Sequence, residues 1–195
     1  GSEGRIEAEL IRSGRTTATV RGTLCVDGKA RLVVIAAFGD VEEEVGIGPE
    51  MGPKAPELPT VEECIPRAEL GQGVGLPILS RVDCVLDPDC AGQGKRAVIA
   101  GWIRFSDGAD PTTLSLPLFV DAFPPSLTAL VGNTGWVPTV ELTAHIRRTP
   151  APGWLRARFE CDDLYKGRMI ETGALWDSSG AVVARVRQIG LLLQR

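Results

Sequence analysis

Asp121 is the residue whose setting most suggests chemistry. It is the one charged side chain between Leu116 and Leu127, with Leu118, Phe119, Val120, Ala122 and Phe123 around it. A carboxylate in such a run is either a polar anchor satisfied by hydrogen bonds or a site residue with a shifted pKa. The other reactive types offer less. The single histidine, His145, reads as a surface or structural residue on a strand. There is no Gly-x-Ser-x-Gly elbow, which argues against an α/β-hydrolase. The five cysteines (Cys25, Cys64, Cys84, Cys90 and Cys161) contain no Cys-x-x-Cys pair. With one histidine they make a poor zinc set, and an odd number fits free thiols in a reducing compartment. Cys84 and Cys90 are close enough for a loop clip, but that signal is weak. Cys161, followed by Asp162-Asp163, has no basic partner to activate it and reads as a strand-end cysteine. Gly71-Gln72-Gly73-Val74-Gly75 superficially resembles a phosphate loop. It lacks the Lys-Ser/Thr ending and a following helix-forming run, and reads as flexible linker.

The whole composition narrows the class. The chain has 195 residues, 44% hydrophobic and 24% charged, which excludes a disordered tail, a collagen-like chain and a disulfide knot. Twenty-one basic against twenty-five acidic residues give a net charge of −4, with no electrostatic footprint for a nucleic-acid backbone. The apolar stretch Ala97 to Ile103 is far too short to cross a bilayer. No charged-then-apolar leader is visible, Gly1-Ser2 reads as a remnant of expression, and a cytoplasmic location is expected.

The elements that must carry Asp121 follow from pattern. Glycine and proline cluster between β-branched and apolar runs, which points to strands joined by turns. Arg5 to Phe38 predicts an antiparallel meander of three strands, with Asp27-Gly28 as a hairpin turn. Residues 40–80 are rich in Pro and Gly and read as a linker or an extended covering segment. From Arg81 a second block begins, with Lys95 to Phe105 as a long strand. Leu116, Phe119, Val120, Phe123 and Leu127 mark one face of the only convincing helix. Asp110-Pro111 and Ser115 with Pro117 are equally good starts, and Pro124-Pro125 should end or kink it. Four strands in a meander are expected next: Trp136 to Arg148, Gly153 to Leu164, Gly167 to Asp177 and Ala181 to Leu193, with Ser178-Ser179-Gly180 turning between the last two. In the first, Thr139, Glu141, Thr143, His145 and Arg147 alternate with Val140, Leu142, Ala144 and Ile146. The four tryptophans read as core or subunit-interface residues.

A long strand, one buried helix and four further strands describe the α+β hot dog fold, a curved antiparallel sheet around a central helix. Three stretches resemble the C-terminal repeat of the double hot dog acyl-CoA thioesterases, the type II family. They are Leu116 to Pro125, similar to the central helix with its Asp; Val137 to Leu142, similar to the following strand with its Thr; and Arg185 to Leu191, similar to the last strand with its Gln before a Gly. The resemblance spans residues 95–193. Residues 5–38, with the basic turn Arg12-Ser13-Gly14-Arg15, are similar to the later strands of a first repeat that lacks its first strand and central helix. The organisation implied is a partial N-terminal repeat over 1–39, a linker over 40–80 and a C-terminal repeat over 81–195.

What the resemblance implies about function is specific. Asp121, Thr139 and Gln188 would form the catalytic site, with Phe119 and Phe123 lining the acyl chain. The substrate would be acyl-CoA, no cofactor or metal would be needed, and a homodimer or larger assembly would be expected. The carboxylate would take a proton from water, while the hydroxyl and carboxamide would orient that water and backbone N–H groups at a helix start would polarise the thioester carbonyl. Arg147, Arg148, Arg156, Arg158, Lys166 and Arg168 could meet coenzyme A phosphates, although each also reads as part of a solvated strand face. Two competing readings remain: a non-catalytic acyl-binding or scaffold hot dog protein, and a hot dog dehydratase or hydratase.

Overall fold

The computed structural model describes residues 3–44, 46–70, 75–90, 94–133 and 135–193. Gly1-Ser2 and Gly71 to Val74 of the glycine-rich stretch lie outside them. The chain forms two compact units, Gly1–Ile47 and Gly48–Arg195.

The first unit is a three-stranded antiparallel sheet of β1 (Gly4–Ser13), β2 (Ala18–Val26) and β3 (Lys29–Phe38), in that order. Asp27 and Gly28 have φ of 51° and 72°. Two consecutive left-handed residues give the turn whose twist matches a right-twisted hairpin, as the Asp-Gly pair predicted.

The second unit is built on a seven-stranded sheet. Its strands are β4 (Ile65–Pro66), β5 (Val82–Leu86), β6 (Val98–Phe105), β7 (Thr139–Ile146), β8 (Leu155–Tyr165), β9 (Arg168–Trp176) and β10 (Val182–Leu191). The order is β4-β5-β6-β8-β9-β10-β7, with every neighbouring pair antiparallel. This corrects the expected four-strand meander. Strands β8, β9 and β10 do follow one another, but β7 pairs with β10. The side of β8 away from β9 is taken by β6, through pairs such as Gly101 with Ala157, so the free edge for β7 is on β10. Strands β4 and β5 were not anticipated from the sequence.

The helical segment is also shorter than expected. It starts at Ser115 rather than Asp110, and Pro124-Pro125 divides it into α1 (Leu116–Asp121) and α2 (Thr128–Val131). Leu116, Phe119 and Val120 of α1 are buried and belong to one core cluster with Ile99, Ile103, Leu155, Leu175 and Val183 of the sheet. Three-residue spacing thus turns one side of the helix to the sheet.

The described residues of 48–80 belong to the second compact unit, which begins at Gly48. Here prolines supply carbonyl groups that have no ladder to join. The Pro59 carbonyl accepts the Trp102 indole N–H at 2.9 Å, and the Pro53 carbonyl accepts that of Trp176 at 2.9 Å. Trp176 is buried, and a buried indole N–H needs such a partner. The segment therefore behaves as a cover. No helix among the described residues is long and apolar enough to cross a membrane.

Candidate active site

Asp121 is the last residue of α1. With Leu116, Phe119 and Val120 committed to the core, residue 121 falls on a different side of the helix. It stays exposed, yet the protein packed around it raises its carboxyl above the ordinary aspartate value by desolvation.

Strand register decides which strand residues meet it. In β10, Gln188 pairs with Leu142 of β7 and Glu171 of β9, while Gly190 pairs with Thr139 and Met169. Directly paired residues share a sheet face, so Thr139, Gln188, Glu171 and Met169 lie on the same face. Thr139 reaches that face through a β-bulge. Glu141 pairs with Ile189 and Thr139 pairs with Gly190, leaving Val140 as the extra residue. Unbroken alternation would put Thr139 with Glu141, Thr143 and His145, and in this respect the expected facing is corrected. His145 stays on the other face, opposite Arg185.

These elements enclose a cavity of about 90 Å³, whose lining includes Asp121, Phe123, Trp136, Thr139, Met169 and Gln188. That is room for a small number of water molecules among polar groups. A larger cavity of about 730 Å³ is lined by Val61, Leu79, Val82, Val85 and Trp154, and Arg67 and Leu76 border both. The three side chains expected to act together therefore open onto one space, although they come from a helix end and two strands.

Phe119 and Phe123 separate. Phe123 lines the smaller cavity and packs on Phe159, with ring centroids 5.1 Å apart. Phe119 is wholly buried against Phe105 at 4.7 Å and borders neither cavity, because the helical phase turns it to the core. The start of α1 lies at the other end of the helix from Asp121.

Glu171 was missed by the sequence reading. It is 3% exposed, and its two oxygens are both engaged. Oε1 accepts a hydrogen bond from Gln188 Nε2 at 2.7 Å, and Oε2 accepts one from the Ser126 backbone N–H at 2.5 Å. Burial pushes its carboxyl up, against the hydrogen bonds from Ser126 and Gln188, and the charge of Asp121 adds to the rise. A signal did exist: period-two spacing in Arg168 to Trp176 places Glu171 among Met169, Gly173 and Leu175, an otherwise apolar face.

The remaining candidates lie elsewhere or are occupied. All five cysteines are free. Burial raises Cys161, and its thiol donates to the Asp163 carbonyl at 3.3 Å, so it is no activated nucleophile. Arg158 pairs with Glu160 at 2.8 Å, and the Arg156 guanidinium stacks on Trp102 at 5.0 Å. Among the described residues no group of three or more His, Cys, Asp or Glu side chains could hold a metal ion.

Residues 56–192 match the family model described as the acyl-CoA thioesterase C-terminal domain. The chain belongs to this family. Its sheet, with α1 packed on one face, is the hot dog fold. A solved structure of a candidate thioesterase II from Thermobifida fusca superposes with a TM-score of 0.81 at 31% identity, covering 98% of this chain and 73% of that one. A hot dog protein of unknown function from Alicyclobacillus acidocaldarius gives 0.77 at 20% identity, over 97% of this chain and 72% of that one, a likeness of fold alone. An uncharacterised protein of Mycobacterium tuberculosis is 35% identical over 124 residues, which are 63% of this chain and 40% of that protein. The match thus spans well under half the length of this curated relative.

Proposed function

We propose that the protein hydrolyses the thioester of acyl-CoA to a fatty acid and coenzyme A, using a water molecule held by Asp121, Thr139 and Gln188. The observation that carries this reading is that the three side chains, remote in sequence, line one small cavity. Family membership supports thioester chemistry in general. The raised carboxyl of Asp121 is a better proton acceptor than an ordinary aspartate. As the water oxygen bonds to the thioester carbon, its proton passes to Asp121. The tetrahedral intermediate then expels the coenzyme A thiolate, which takes the proton back. Thr139 and Gln188 hold the water in line, which lowers the entropic part of the barrier. Phe123 would line the acyl chain. We read the three-stranded unit as the later strands of a partial first repeat, and the active species as a homodimer or larger assembly of the fold.

A panel of saturated acyl-CoAs of increasing chain length, followed with a thiol-reactive dye, tests the activity. Release of coenzyme A by the native chain and its loss in Asp121→Asn are expected. No thiol release from any member, or undiminished release by Asp121→Asn, overturns the reading. Turnover of enoyl-CoA without thiol release would mark a hydratase instead.

A further inference from the structure

We propose that Glu171 is a positioning residue for the hydrolytic water: it fixes the Gln188 carboxamide so that its carbonyl oxygen, Oε1, is the end offered to the reaction. This rests on the reading of Asp121, Thr139 and Gln188 as the water-holding set. In the structure both oxygens of Glu171 act as hydrogen-bond acceptors. Glu171 Oε1 accepts from the Gln188 amide nitrogen at 2.7 Å. That leaves Gln188 Oε1, which is buried and has no hydrogen-bond partner among the described residues. A buried carbonyl oxygen is costly unless water or a ligand meets it, and Gln188 borders the small cavity.

The second oxygen of Glu171 adds a different constraint. It holds the Ser126 N–H at 2.5 Å, directly after the two prolines that follow α1. One carboxylate thus ties the strand carrying Gln188 to the turn behind the helix carrying Asp121. It sets both the orientation of the amide and its position relative to the base.

The consequence for a bound water is definite. One proton points to Asp121 and the other to Gln188 Oε1. The oxygen lone pairs remain for the Thr139 hydroxyl and the acyl carbon. A reversed amide would present N–H groups, which compete for the lone pair that must attack.

Glu171→Gln is nearly isosteric and removes the acceptor-only character. The new amide can donate to Gln188 Oε1 and turn the Gln188 nitrogen toward the cavity. A fall in kcat of roughly 10- to 100-fold with KM little changed is expected, the scale of a misplaced reacting group. In a Gln188→Ala background the same substitution should cause no further fall, because its effect runs through Gln188. An equal fall in both backgrounds, or none in either, overturns the proposal. Should Glu171→Gln fail to fold, the wild-type chain supplies the readout. Its Gln188 side-chain amide protons, assigned by loss of the signal in Gln188→Ala, should show one proton shifted and protected from exchange at neutral pH; freely exchanging amide protons overturn the assignment. If the wild type hydrolyses acyl-CoA and only the Glu171 outcomes fail, the positioning role falls alone. If no acyl-CoA is hydrolysed, the functional reading falls first.

Discussion

Thr139 and Gln188 share a sheet face because β7 carries one residue more than β10 between their paired positions. Gln188 lies opposite Leu142 and Gly190 lies opposite Thr139, with Val140 unpaired between Glu141 and Thr139. Without that bulge Val140 would take the inner place and Thr139 would turn outward. Val140 is 59% exposed, in keeping with its displacement from the ladder. The candidate site therefore depends on a strand irregularity as much as on residue types.

Exchanging the two residues tests this relationship at constant composition. In the double variant Thr139→Val with Val140→Thr, the hydroxyl moves to the exposed bulge position. Hydrolysis should fall about as far as in Thr139→Val alone, roughly 10- to 100-fold, with little change in Tm. An active double variant would mean that β7 alternates regularly and that residue 140 faces the cavity.

The acid limb of the reaction should report Asp121. Its carboxyl lies above the ordinary value of 3.8 because the protein packed around this exposed residue partly desolvates the charged form. Only the ionised form accepts a proton from water, so kcat/KM should decline as pH falls through a midpoint above 3.8. The stability effect has the opposite sense. Between 3.8 and the raised folded value the native state holds more protons than the unfolded chain, so this group loses stability as pH rises. Asp121→Asn should thus be inactive yet at least as resistant to urea as the wild type at pH 7. A variant clearly less stable than wild type there would point to a structural anchor.

The sequence made local features plain. The Asp27-Gly28 turn, the core phase of Leu116, Phe119 and Val120, and the stop at Pro124-Pro125 all depend on neighbours in the chain, and the structure contains each. The position of β7 beside β10 depends on which sheet edge remains open, a property of the assembled sheet. The bulge at Val140 arises from pairing between residues nearly fifty apart, and no turn residue announces it. The clustering of Asp121, Thr139 and Gln188 was expected through family resemblance and not through spacing. Glu171 could have been found from its place on an apolar face.

Asp177 holds the last hairpin and offers a stability test away from the cavity. Burial alone would raise its carboxyl, but hydrogen bonds from Ser179, Ala151 and Ala181 outweigh that and keep it below the ordinary value. The stability it contributes is present above the unfolded value of 3.8 and is lost as pH falls through the lower folded value. Asp177→Ala leaves several backbone N–H groups short of a partner and should cost about 2 to 4 kcal/mol in urea unfolding at pH 7. The difference from wild type should shrink in strong acid. Activity per folded molecule should be retained, since Asp177 borders neither cavity.

Gly173 links sheet packing to the cavity wall. A Cβ placed there would lie 2.1 Å from Phe159 Cδ1, far inside contact distance. Phe159 is buried and packs on Phe123, which lines the site, so relief of the clash must push one ring toward the other. Gly173→Ala should therefore destabilise the protein by about 1 to 3 kcal/mol, as overpacked cores do. It should also raise KM for long-chain acyl-CoA more than for acetyl-CoA, because Phe123 would narrow the space for the acyl group. Removing the ring with a second change, Phe159→Leu, should return part of both the stability and the long-chain KM. Equal KM changes for both substrates would separate the Phe159–Phe123 contact from acyl binding.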